Sequence, residues 1–444
     1  MVLPAPLFQL QCEVNEYEWG KIGKDSKAAR FALSTEEAKF DLKDDKPYAE
    51  LWMGTHSSAP SRVLPSQTLL SQVLDDNAEL CGKEISDAYE GKLPFLFKVL
   101  SIQKALSIQC HPTKELAKKL HKDDPKNYKD DNHKPEMAIA ITPFEGFCGF
   151  RPIKEIVSFL DNVGPFASLL GQEAVTSFKE SVQGKEDGRD EQTVNSNREA
   201  LKELFSVLMN KDEADVKKAA DSLIESAKSN SKTFGGKDYG GEFLSELLVR
   251  LNSQFPQDIG LFCSFYLNYV TLQPGESLFL RALDCHAYLS GDIMECMAAS
   301  DNVVRAGFTP KFKDVKNLTE MLTYAYAPPA DQKMKPEEWD RGSGQGKSIL
   351  YDPPIDEFSV VQTTIEANDS ETHHGVKGPS IIISTTGDGR FTVGNSTLDV
   401  REGQVFFVGA NAELKIESGR DSKMVTYRAF VEVEDDRHNK KPKI

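Results

Sequence analysis

The strongest constraint on this chain is a change in the period of its apolar residues. From 153 to about 255 they recur at helical spacing: Ile156, Phe159 and Leu160, then Leu201, Leu204, Phe205 and Leu208, then Phe243, Leu244, Leu247 and Leu248. On both sides the pattern is that of strands. Residues 93–102, 105–110, 137–141 and 144–150 are continuous or Gly-interleaved apolar runs, as buried strands require. The spacing predicts about five helices inserted into a mainly β chain, with a polar loop at 184–197 between them. Shorter helices are expected at 67–74 and at 113–120, the latter opened by Pro112 and Thr113.

Strand patterns return near Ile259. Residues 266–270, the turn Gln273-Pro274-Gly275-Glu276 and residues 277–282 read as a hairpin. The segment from Leu272 to Ala282 is weakly repeated from Val400 to Ala410, with Gly275 on Gly403 and Phe279 on Phe407. Such self-similarity suggests two related β-sandwich modules. The expected units are 1–152, a helical insertion at 153–258, a central part at 259–330 that completes the first module, and a second module at 331–444.

Chemistry gathers in a few segments. Gln109 and His111 stand two apart in S-I-Q-C-H-P, so a strand presents both on one face. Glu136, in N-H-K-P-E, supplies a carboxylate, and His286, in D-C-H-A-Y, a second imidazole. Two nitrogen and two oxygen donors suit Zn²⁺ or a neighbouring divalent ion, with a position left for chemistry. Taken singly, each of these residues reads more readily as structural. The repeat places Leu414 at the position of His286, so one metal site is expected, in the first module. The pair His373-His374 reads as solvent-exposed loop. Arg305, always cationic and planar, suits phosphate or an enediolate oxygen. Glu295, Asp301, Lys311, His133 and Lys134 lie near these candidates in sequence. Ser107 shares a strand face with Gln109, Lys98 could add charge, and Trp19 could wall a sugar pocket.

The formal charge of −16 argues against nucleic acid and anionic membranes as partners. An anionic small molecule stays compatible, because distant surface charge is screened over about 8 Å. The seven cysteines form no C-x-x-C pair and sit mostly in apolar runs, as reduced thiols of a cytosolic protein would. The first 14 residues lack a signal-peptide pattern, no run is long and apolar enough for a membrane span, and the C-terminal R-H-N-K-K-P-K-I reads as a solvated tail.

Together the motifs Y-E-W-G-K-I-G, P-Y-A-E-L-W-M-G-T-H, L-P-F-L-F-K-V-L-S, K-A-L-S-I-Q-C-H-P, N-H-K-P-E-M, G-F-C-G-F-R-P and H-A-Y-L-S-G-D-I-M-E-C-M-A-A-S-D-N-V-V-R-A-G-F-T-P-K resemble type I mannose-6-phosphate isomerases, in the eukaryotic form with its long helical insertion. The resemblance implies tandem cupin-type (jelly-roll) sandwiches. It implies a zinc-dependent aldose–ketose isomerase that interconverts mannose 6-phosphate and fructose 6-phosphate through a cis-enediol(ate), feeding GDP-mannose synthesis. One Zn²⁺ per chain would be held by Gln109, His111, Glu136 and His286. Arg305 would be catalytic, with Lys134, Glu295 and Asp301 beside it. Ser107, Lys98, Trp19, Tyr288, Lys311 and His133 would bind substrate. The expected partner is a small sugar phosphate, and a cytoplasmic monomer is expected. The residues left two other readings open: a non-catalytic metal-binding cupin that senses sugar phosphate, and a metal-dependent oxygenase. The oxygenase is disfavoured because no H-x-D or H-x-E spacing occurs near His111 or His286.

Overall fold

The computed structural model describes residues 5–36 and 40–433; the basic C-terminal tail lies outside the described residues. Two β-sandwiches pack back to back, and a helical block covers the free side of the first. The first sandwich has two curved layers joined by one long strand, His286–Ala298. Residues 291–298 of that strand pair with Phe95–Ile102, and its 293–297 stretch also pairs with Glu136–Ala140. Its start, 286–290, pairs instead with Phe144–Phe150 and Ile108–Cys110. Gly291 stands at the crossing between layers. Its φ is +116°, and a Cβ there would lie 2.7 Å from the Pro143 carbonyl oxygen. Only glycine combines that dihedral with that approach.

The second sandwich pairs a nine-stranded sheet with a five-stranded one. The N-terminal strand Leu7–Gln11 belongs to the former, zipped antiparallel onto Val405–Val408. The large sheets of the two sandwiches share a core. Phe97, Val99, Met137, Ile139, Met294 and Cys296 pack with Leu10, Val360, Ile381, Ile383, Phe407 and Ala429. These strands are therefore apolar on both faces, which explains their unbroken hydrophobic runs.

The repeat has structural counterparts. Gly275 and Gly403 both take positive φ, +88° and +92°. Each is followed by a short strand, Ser277–Leu280 and Val405–Val408, and the next strand opens at His286 and at Leu414. Leu414 sits in an apolar interior with Ile382, Phe391, Phe406 and Ile416.

Four expectations need correction. Leu267–Leu272 and Ser277–Leu280 form no hairpin: the first pairs with Phe144–Phe150, the second with Glu136–Ala140. The turn between them carries the chain from one layer to the other, with the Gly275 N–H donating to the Ala140 carbonyl. Six helices, not five, occupy 153–254 among the described residues. Half of the polar loop is helix, because Asp190 caps Glu191–Met209 by accepting from the Thr193 N–H at 2.9 Å. His373 is buried: it closes the strand Ser370–His373 with its ring inward, and only His374 faces solvent.

Candidate metal centre

Strand pairing brings distant donors together. Gln109 faces His286 across one ladder and Arg305 across the other, so three candidate side chains share one face. Glu136 opens the next strand of the same interior. His286 Nε2 lies 3.2 Å and His111 Nε2 3.5 Å from Glu136 Oε2. One donor atom from each of these three residues falls within 4.8 Å of the others, and all three residues are buried. Among the described residues they are the one such group of His, Cys, Asp and Glu.

The hydrogen bonding around these donors fits a cation. His111 Nδ1 is bonded to the Asn302 carbonyl at 2.7 Å and His286 Nδ1 to the Asp284 carbonyl at 3.3 Å. Both rings are thereby oriented with Nε2 toward Glu136. Yet His111 Nε2, His286 Nε2 and Glu136 Oε2 make no hydrogen bond. Three orphaned buried polar atoms aimed at one point are rare in a folded protein unless something binds them. Burial pushes the His111 ring below its ordinary pKa, which keeps it neutral and able to ligate. Burial opposes the charge of Glu136, but the neighbouring Lys134 ammonium favours it, and the carboxyl is held well below the usual range. Lys134 Nζ lies 3.4 Å from the other oxygen, Oε1.

A second polar group adjoins the centre. Lys98 Nζ bonds Glu295 Oε2 at 3.1 Å, lies 3.8 Å from Glu50 Oε2 and sits 4.8 Å over the Trp52 ring. Tyr288 Oη donates to Glu295 Oε1 at 2.9 Å. All of these side chains are buried. Burial works against the Lys98 charge, but Glu50 and Glu295 overcome it and raise its pKa. Burial raises the Glu295 carboxyl despite Lys98.

A scan against protein families matches three segments. Residues 7–153 match the catalytic domain of type I phosphomannose isomerase, 169–267 its helical insertion domain and 348–396 its C-terminal region. Mannose-6-phosphate isomerase of Aspergillus fumigatus is 52% identical, covering 97% of each chain. The enzyme of that name from Saccharomyces cerevisiae is 50% identical over 96% of this chain and 99% of its own. The chain belongs to the type I phosphomannose isomerase family. Among solved structures, the apo form of mannose 6-phosphate isomerase from Salmonella typhimurium is similar with a TM-score of 0.77 and 27% identity, over 97% of this chain and all of that one. A zinc-bound mannose 6-phosphate isomerase matches with the same score and identity.

In this phosphomannose isomerase fold the remaining candidates stand in differing surroundings. Ser107 Oγ lies 3.5 Å from Gln109 Oε1, and Trp19 packs at the edge of the cluster containing Tyr288. Arg305 is half-buried, and burial lowers its pKa. Asp301 is more open, with His56 Nε2 at 3.7 Å. Lys311 is exposed on the loop after Arg305, and no ion pair of it appears among the described residues. His133 turns to Glu357 of the second sandwich, at 2.6 Å. Sequence reading passed over Glu50, Trp52, His56, Asn302 and Glu357. Glu50 and Trp52 alternate in P-Y-A-E-L-W, a strand pattern that places a carboxylate and an indole on one face. Nothing local in the sequence marks Asn302 or Glu357.

Proposed function

We propose that the chain interconverts mannose 6-phosphate and fructose 6-phosphate, using one zinc ion held by Gln109, His111, Glu136 and His286. The convergence of three unpartnered donor atoms in a chain of this family carries the reading. Gln109 supplies the fourth donor from its place opposite His286. Zinc supplies Lewis-acid polarisation at sugar oxygens.

The rest is the work of side chains. Moving a carbonyl between adjacent carbons requires a carbon-bound proton to leave one and return to the other. Negative charge collects on oxygen as a cis-enediol(ate). Arg305, fixed beside Gln109 by strand pairing, offers two N–H groups to that charge or to the phosphate. Glu295, whose carboxyl burial raises and which bonds Tyr288 and Lys98, is suited to take and return a proton. Lys134, Asp301 and His133 complete the polar lining, with Ser107, Trp19, Tyr288, Lys98 and Lys311 as substrate contacts. The enzyme would feed GDP-mannose synthesis from a cytoplasmic location. The metal ligands would come from 1–152 and 259–330, with 153–258 and 331–444 carrying none.

The test is a coupled assay on mannose 6-phosphate with metal analysis by mass spectrometry. Turnover that disappears with a chelator, returns with zinc and tracks one zinc per chain is expected. A zinc-loaded protein without turnover would leave the sugar-phosphate sensor standing.

A further inference from the structure

We propose that Glu357 is a positioning residue through which the second sandwich sets the working state of His133. His133 stands in the segment that also supplies Lys134 and Glu136 to the metal centre. Its Nε2 meets Glu357 Oε1 at 2.6 Å, and both side chains are largely shielded from water. Glu357 comes from the turn between Lys347–Tyr351 and Ser359–Ile365, so the bond crosses from one sandwich to the other.

The chemistry follows from the tautomer. A carboxylate facing Nε2 requires a proton on that nitrogen. Nδ1 is then left as the acceptor and base of the ring. Burial opposes the Glu357 charge, but the His133 contact prevails and holds the carboxyl ionised. Lys114, opening the helix Lys114–Asp123, adds a favourable charge, and Glu115 of the same turn lies near the imidazole. A fixed ring with one basic nitrogen is suited to move a proton or hold a sugar hydroxyl, and the imidazole alone would not be so fixed. The proposal rests on the reading of His133 as a substrate-site residue given above.

The test compares wild type, Glu357→Gln, Glu357→Ala, His133→Asn and the double variant His133→Asn/Glu357→Gln, all as zinc-loaded full chains. The readouts are kcat, KM, zinc content and melting temperature. Glu357→Gln keeps size and an acceptor oxygen but removes the charge. It should lower kcat about tenfold or more, with zinc content unchanged. The double variant should be no slower than His133→Asn alone. Wild-type kcat in Glu357→Gln, with only the melting temperature lowered, would make the bond a mere tie between sandwiches and overturn the proposal. Losses that multiply in the double variant would overturn it as well. A fully active His133→Asn would instead remove the reading beneath it, and the proposal with it.

Discussion

A buried lysine ammonium keeps its charge because neighbouring carboxylates offset the cost of burial. Lys98 is in that position, between Glu50, Glu295 and the Trp52 ring. Lys98→Met should leave two buried carboxylates facing each other and cost about 3–5 kcal/mol of stability. Adding Glu295→Gln should recover part of that loss. Denaturant unfolding of the single and double variants checks both, and a double variant less stable than the single would refute the account. Arg305 makes a different prediction, because it neighbours Gln109 without contributing a donor to the His/Glu/His group. Arg305→Ala should lower kcat by about 10²–10³-fold, while zinc content stays at the wild-type level; a parallel loss of both would make it structural. The Gln109–His111 pair was legible because alternation along a strand is a local rule. Glu136 and His286 were legible as donor types. The partners that orient the rings were not: Asn302 and Asp284 act through backbone carbonyls, which every residue carries.

Along a single strand, the critical point is Gly291. Its positive φ lets His286–Ala298 leave one layer and enter the other, so that His286 and Glu295 both reach the interior. Gly291→Ala should strain the crossing by about 1–3 kcal/mol and reduce zinc affinity, read by a lower melting temperature and by zinc titration. Unchanged values would show that the crossing tolerates a Cβ. His373 shows why local pattern misled. The flanking Glu371, Thr372 and Gly375 read as loop, yet the strand runs through His373 and turns it toward Thr363 and Arg428. The failed hairpin has a related cause. Turn chemistry at Gln273–Glu276 was legible, but a turn can join strands of one layer or of two. Burial depresses the His373 pKa well below its unfolded value. The unfolded chain then binds the extra proton, so stability present above about pH 6.5 falls as the medium is acidified. His373→Gln should show a smaller loss of melting temperature between pH 7 and 5.5 than wild type. An equal loss would assign the acid sensitivity elsewhere.

The two sandwiches share an apolar core that neither could expose to water. They should therefore melt together, in one calorimetric transition; two separated transitions would refute the coupling. His286→Ala should release zinc yet keep that transition, since the shared core does not depend on the ion. The change of apolar period at 153 made the helical block legible, because it is summed over many residues. The back-to-back packing was foreshadowed only by strands apolar on both faces. That the opening strand serves the second sandwich was not legible: its pattern suits any sheet edge, and its register is set by a partner near the other end of the chain.

That last pairing bears on how the molecule is made. The strand around Leu7 is translated well before the Val405–Val408 strand that receives it. That edge of the sheet can close only after the later strand emerges, so a chain stopped before it leaves the Leu7–Gln11 strand with no more than its Arg62–Val63 neighbour. Until then one edge of that strand lies open to other partners, and the arrival of the later strand removes the hazard.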